Sequence, residues 1–203
     1  PFETWDFSRE YAKNVSRPMV RGYREGHTPN PDVECNRHIK FGVFYARARA
    51  RGADYIATGH YAQLRDRGGS VVLSAARDTS KDQTYFLWAV DGAHLQHVLF
   101  PIGGMLKSEV RKEAQKAGLI TASKKDSQGV CFVGPLDMKS YLLTAVASKS
   151  GNILHSDGRV LGEHDGAAYY TIGQRHGLDI RLGGGPYFVV EKNMRKNTIS
   201  VGP

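Results

Sequence analysis

The chain has 203 residues, 40% hydrophobic and 24% charged, an ordinary globular composition that excludes a collagen-like or disordered chain. Lys and Arg number 28 against 20 Asp and Glu, a formal charge of +8, and no apolar run approaches the ~20 residues of a membrane helix. The basic excess is uneven: residues 1–150 carry 22 basic and 15 acidic side chains, and residues 151–203 carry 6 and 5. A basic first part suits a polyanion, most plausibly nucleic acid, or else a merely soluble surface. The start, Pro1-Phe2-Glu3-Thr4-Trp5-Asp6, lacks the basic-then-apolar pattern of a signal peptide. It also lacks Met, so the chain is expected to be a piece of something longer. Two cysteines, Cys35 and Cys131, make a poor secreted disulfide framework and point to a cytosolic protein.

Phe7, Tyr11, Val15, Met19 and Tyr23 recur at steps of four, one face of a helix over residues 7–26. Pro18 falls inside it and should kink or split it. Arg9, Lys13, Arg17, Arg21 and Arg24 make a basic stripe on other faces. Gly26-His27-Thr28-Pro29-Asn30-Pro31-Asp32 reads as a rigid loop. Asn36 is positioned to cap a second helix running to Arg51 and ended by Gly52. Residues 54–58 read as a buried parallel strand, and Gly59-His60 follow where an open α/β sheet forms its ligand crevice. Residues 71–76 read as a strand, and residues 84–90, 94–99 and 108–117 as helices. Residues 129–133 read as a short strand bearing Cys131, and residues 136–147 as a helix. From Gly151 onward the texture changes. Short apolar runs at 152–154, 160–161, 169–171, 187–191 and 198–201, with an Asp157-Gly158 hairpin signal, suggest a small all-β module. The expected domains are 1–147, α/β, and 148–203, β-rich.

The candidate chemistry centres on the two thiols. Cys35 follows the Pro-rich loop near an expected helix N-terminus, where the dipole favours a thiolate. Asp32, three residues earlier, is placed to act as an acid or base. Cys131 has Lys124 and Lys125 nearby. Free cysteines are also commonly buried and inert, and these readings stay balanced on the residues alone. Cys35, His38, His60 and Cys131 do not show the two close pairs of a structural zinc site. Asp32, Cys35 and Cys131 would supply three ligands to an iron–sulfur cluster, which usually takes four cysteines; that remains the minority alternative. Gly68-Gly69, Gly103-Gly104 and Gly183-Gly184-Gly185 match no phosphate-binding fingerprint and read as turns. Thr79-Ser80-Lys81-Asp82-Gln83 reads as helix capping or as a phosphate or base contact.

Seven segments together carry a resemblance. They are 28–36 (Thr-Pro-Asn-Pro-Asp-Val-Glu-Cys-Asn), 39–41 (Ile-Lys-Phe), 52–61 (Gly-Ala-Asp-Tyr-Ile-Ala-Thr-Gly-His-Tyr) and 81–87 (Lys-Asp-Gln-Thr-Tyr-Phe-Leu), then 100–103 (Phe-Pro-Ile-Gly), 125–132 (Lys-Asp-Ser-Gln-Gly-Val-Cys-Phe) and 171–175 (Thr-Ile-Gly-Gln-Arg). In this order they resemble the tRNA-specific 2-thiouridylase family, over about residues 7–201. The resemblance implies a Rossmann-like, adenine-nucleotide α-hydrolase type of α/β domain, N-terminally truncated, followed by the small β-rich domain. It implies replacement of the C2 oxygen of a tRNA wobble uridine by sulfur: ATP, with Mg as its counter-ion, adenylates that oxygen, and a cysteine persulfide then attacks C2. Carried over by match, Cys131 resembles the persulfide-bearing cysteine. Cys35 resembles the partner that releases the sulfur or closes a disulfide with Cys131. Asn30, Pro31 and Asp32 resemble the segment contacting the target base, with Asp32 as acid or base. Gly59 resembles an ATP contact, and His60, Lys81, Asp82 and Gln83 resemble tRNA contacts. The implied partners are tRNA and a persulfide donor, such as a cysteine desulfurase or sulfur-relay protein, in the cytoplasm and without a membrane. The family's Ser-Gly-Gly-Val-Asp-Ser type of pyrophosphate loop and its C-terminal barrel are not found in the chain, so the chain alone is expected not to thiolate tRNA. A non-catalytic tRNA-binding module and a thiol–disulfide carrier are the rival readings.

Overall fold

The structure, a computed structural model, describes residues 2–124, 138–147, 149–180 and 185–203. The chain forms two compact units, residues 1–15 with 31–131, and residues 16–30 with 132–203. The second unit takes in residues 16–30 and the helix before residue 147, which the sequence boundary grouped with the first domain.

The chain opens with helix α1 (Ser8–Tyr11), a π-helical turn (Ala12–Ser16) and α2 (Arg17–Arg24). Pro18 stands in the first turn of α2, so the missing N–H and the ring's clash with the preceding turn are absorbed by the widened π turn. The helical run stays continuous and carries its π turn just before the proline.

In the first unit α3 (Pro31–Cys35), a π stretch (Asn36–Phe44) and α4 (Tyr45–Ala50) form a continuous helical run. Two stripes emerge from it. Cys35 and Ile39 pack with Val15 against Phe7, Tyr11 and Val43. Phe41 and Ala48 pack with Ile56, Ala62, Leu87 and Val98. Each such large side chain contributes roughly 1.5–3 kcal/mol by burial. Gly52, at φ +86°, ends the run as expected. Strand β1 (Ile56–Ala57) pairs in parallel with β4 (Val98–Leu99), and β2 (Gln63–Arg67) pairs antiparallel with β3 (Ser70–Ser74). Gly68 and Gly69 turn this hairpin at φ +63° and +83°, the positive values that a two-residue hairpin loop requires. A 3-10 helix (Thr84–Leu87), α5 (Gly92–Leu95) and α6 (Lys107–Lys116) complete the described part of the unit.

In the second unit α7 (Met138–Ala145) precedes a four-stranded sheet in the order β6-β5-β8-β7. Its strands are β5 (Gly151–His155), β6 (Val160–His164), β7 (Phe188–Asn193) and β8 (Thr198–Gly202). β5 and β8 run parallel, and the other pairs are antiparallel. Ile153, Val189, Ile199 and Val201 are buried at its centre. Met19 and Tyr23 of α2 pack with Leu142 of α7 and Val146 just past its end, each pair one turn apart.

Several local expectations are corrected. Pro31 and Asp32 open α3 rather than ending a loop, because proline is compatible with the first helical position, where its missing N–H is no loss. Asn36 therefore lies within the helical run and not at its cap. Residues 94–99 split into the end of α5 and strand β4, because the backbone of 97–99 pairs with β1. Residues 84–90 hold only a short 3-10 helix. Residues 169–171 are no strand; a 3-10 turn (Ala167–Tyr169) occupies their start. The strand expected at 129–133 lies outside the described residues.

Candidate functional site

Three segments of the first unit are tied together by hydrogen bonds that the sequence order does not suggest. Asn36 Nδ2 donates to the carbonyl of Phe86 at 2.9 Å. Lys40, one turn further along, places Nζ 3.4 Å from His60 Nε2. Gln83 Oε1 accepts from the N–H of Tyr61 at 3.0 Å, and the Gln83 N–H donates to the Tyr61 carbonyl at 2.9 Å. The helix after Cys35, the end of β1 and the polar segment 81–83 thus form one neighbourhood.

His60 is 7% exposed. Its ring lies 5.7 Å from that of Phe41 and 5.9 Å from that of Phe100. Burial first, and the Lys40 charge second, push its pKa down to about 4, so the ring is neutral at pH 7. An ammonium can only donate. Lys40 therefore selects the tautomer in which Nε2 accepts, and Nδ1–H donates to Thr58 Oγ1 at 2.8 Å.

Asp82, matched to a tRNA contact, spends its carboxylate inside the protein. Oδ2 accepts from the Ala76 N–H at 2.6 Å, and Oδ1 accepts from the Thr84 N–H and hydroxyl. Its pKa is lowered: burial, the largest influence, opposes the shift, and these hydrogen bonds outweigh it. Asp82 and Gln83 so act as a clamp that fixes the backbone, with Lys81 beside them partly exposed. Gly59 follows the C-terminal end of β1, and a side chain there would meet nothing within 4 Å. That open space lies where parallel sheets bind ligands.

Cys35 is completely buried. As the last residue of α3 it lies beyond the first turn, where a helix dipole favours a thiolate only weakly. Asp32 is partly exposed, Pro31 is buried, and Asn30 belongs to the second unit. Cys131 lies outside the described residues. His38, spaced from Cys35 like a metal ligand, contacts Glu34 Oε2 at 3.1 Å. Among the described residues no three His, Cys, Asp or Glu side chains gather as metal ligands.

Sequence reasoning assigned no role to Lys40, Thr58 or Tyr61, and gave Asn36 only a capping one. Asn36 Oδ1 and the Tyr61 hydroxyl are buried without a hydrogen-bond partner among the described residues. An unmet buried group costs roughly 1–3 kcal/mol, and both adjoin expected site residues. All four fall inside the resembling segments 28–36, 39–41 and 52–61, which is the signal that the sequence offers for them.

A helical run packed on parallel strands, followed by a small antiparallel-rich sheet, defines a two-part class. Residues 1–135 match the family model described as tRNA methyl transferase HUP domain, and residues 139–203 match the tRNA methyl transferase PRC-barrel domain. A HUP domain is of the Rossmann-like type, so the expected fold class is borne out.

The chain is 48% identical over 201 residues to a Listeria welshimeri protein, with 99% of the chain and 54% of that relative covered. Identity to an Enterococcus faecalis protein is 49% over 206 residues, with 100% and 55% covered. Identity to a Halalkalibacterium halodurans protein is 48% over 197 residues, with 97% and 53% covered. All three are named tRNA-specific 2-thiouridylase MnmA. The chain belongs to this family, and it spans about half the length of the curated relatives it matches.

Proposed function

We propose that the protein containing this chain is a tRNA-uridine 2-sulfurtransferase. The observation that carries this reading is the 48–49% identity, over nearly the whole chain, to relatives named for that reaction. The tied neighbourhood of Asn36, Lys40, His60 and Gln83, next in sequence to Cys35, supports it, since sulfur transfer to a base needs a thiol near polar groups with unspent hydrogen bonds, such as Asn36 Oδ1 and the Tyr61 hydroxyl.

The wobble uridine enters splayed from its strand, as bases undergoing chemistry generally do. Its O2 attacks the α-phosphorus of ATP, pyrophosphate leaves, and the oxygen becomes a leaving group. The terminal sulfur of a persulfide on Cys131 then forms a bond to C2 while the C2–O bond breaks and AMP departs. The Cys35 thiolate attacks Cys131 Sγ, the S–S bond breaks, and the transferred sulfur keeps the electron pair on C2. The products are 2-thiouridine and a Cys35–Cys131 disulfide, which an external dithiol reduces before a persulfide donor reloads Cys131. Asp32 handles protons at the base. The crevice at Gly59 fits the nucleotide, and the clamp of Asp82 and Gln83 holds the strand end that presents His60. Complete burial of Cys35 keeps bulk oxidants from its thiol until sulfur arrives.

The test uses protein expressed from the complete reading frame, unmodified tRNA, ATP and a persulfide source, with mass analysis of the digested nucleosides. Wild type is expected to give 2-thiouridine and Cys131→Ser none. Well-folded wild type that binds tRNA without forming product would replace this reading with that of a tRNA-binding module.

A further inference from the structure

Helix α2 has two faces of opposite character. Met19, Gly22 and Tyr23 are buried. Arg17, Arg21 and Arg24 are exposed on the other side, within an arc of about 60° at 100° per residue and along about 10 Å of axis. With Ser16, Val20 and Tyr141 of α7 they line one open-sided cleft of about 290 Å³. Arg24 donates to the Ala145 carbonyl at 2.6 Å. The side chains of Arg17 and Arg21 have no ion pair or hydrogen bond among the described residues. Neither α2 nor α7 contains an acidic residue, so nothing on either helix neutralises the column. Like charges one turn apart repel, a cost the fold itself does not need.

We infer that this cleft seats backbone phosphates of an RNA strand, a binding surface separate in the sequence from the Cys35 and His60 neighbourhood. The inference rests on the tRNA reading and locates a part of the nucleic acid's footprint. A guanidinium pairs with phosphate through two parallel N–H donors, and the Tyr141 ring offers a face on which a base or ribose can lie. A small anion is a poorer match. Small-molecule sites enclose the ligand and are walled mostly by apolar side chains, whereas this cleft is open and its apolar lining is Val20 and one ring.

The experiment measures binding of a fluorescein-labelled unmodified tRNA transcript by anisotropy, from about 50 to 200 mM salt. It compares wild-type protein from the complete reading frame with the Arg17→Ala/Arg21→Ala double variant. Arg24 is left intact because it also holds the end of α7. The slope of log K against log salt is expected to become shallower by about 2, one per lost phosphate contact. The Arg17→Lys/Arg21→Lys variant, which keeps both charges, should retain most of the slope. Matching circular-dichroism melts show that the alanine variant is folded. An unchanged slope with tRNA still bound overturns this inference and leaves the proposed function standing. Normal tRNA binding together with lost sulfur loading from the persulfide donor overturns it in favour of an acidic protein. Wild type that binds no tRNA overturns the proposed function and this inference with it.

Discussion

His60 sits in a buried cage of aromatic rings with an ammonium on one nitrogen and a hydroxyl on the other. Its folded pKa of about 4 lies below the ordinary histidine value of 6.5. The folded state therefore refuses a proton that the unfolded chain accepts. Stability is unaffected above the unfolded value, falls as pH drops from about 6.5 towards 4, and then levels off. The full loss is roughly 3 kcal/mol at 1.36 kcal/mol per unit. A His60→Asn variant, which cannot titrate there, should show a flatter loss of thermal midpoint from pH 7 to pH 4. Equal acid slopes in variant and wild type would refute the assignment. The place of His60 after a short strand was legible in the sequence; that it is neutral, and which nitrogen accepts, depends on Lys40 and Phe100. Those residues are 20 and 40 positions away, and only packing brings them to it.

Among the elements, the Phe100-Pro101-Ile102-Gly103 turn shows how a short motif acts through the backbone. A Cβ on Gly103 would stand 1.7 Å from the Ala62 carbonyl oxygen, and the Gly103 carbonyl accepts from Arg77 N–H. Main chain cannot yield as a side-chain end can. Gly103→Ala is expected to cost about 1–3 kcal/mol or more, read as a lower urea midpoint with an unchanged m-value. Loss of less than about 0.5 kcal/mol would mean that the turn relaxes freely. The glycine pair reads as a turn in the sequence, but the close approach to Ala62 does not, because it is a contact across 41 residues. The same distinction explains the strand at Val98-Leu99. Two apolar residues after a helix continue a helical pattern, and only the parallel partner Ile56-Ala57 makes them a strand. The early proline was legible because its effect is local.

For the whole molecule, the two units have separate cores, and Ile199 is fully buried at the centre of the second. Ile199→Ala should lower the stability of that core by about 2–5 kcal/mol, seen as a drop in the circular-dichroism midpoint. Both tryptophans, Trp5 and Trp88, belong to the first unit, so their emission follows that unit alone. A change under about 1 kcal/mol would show that the Ile199 site collapses around the smaller side chain.

The sequence by itself determined the family, the two-part organisation and the basic bias of the first 150 residues. These depend on residue order, local backbone preference and charge, all of which are properties of neighbours along the chain. Tertiary structure alone decided that residues 16–30 join the β-rich unit, since Met19 and Tyr23 find their apolar partners on and beside α7. It also decided that Asp82 and Gln83 spend their side chains on backbone hydrogen bonds and that Arg17 and Arg21 have no ion-pair partner among the described residues. Burial and pairing arise from contacts between segments far apart in the chain, and no local pattern encodes which distant group will be there.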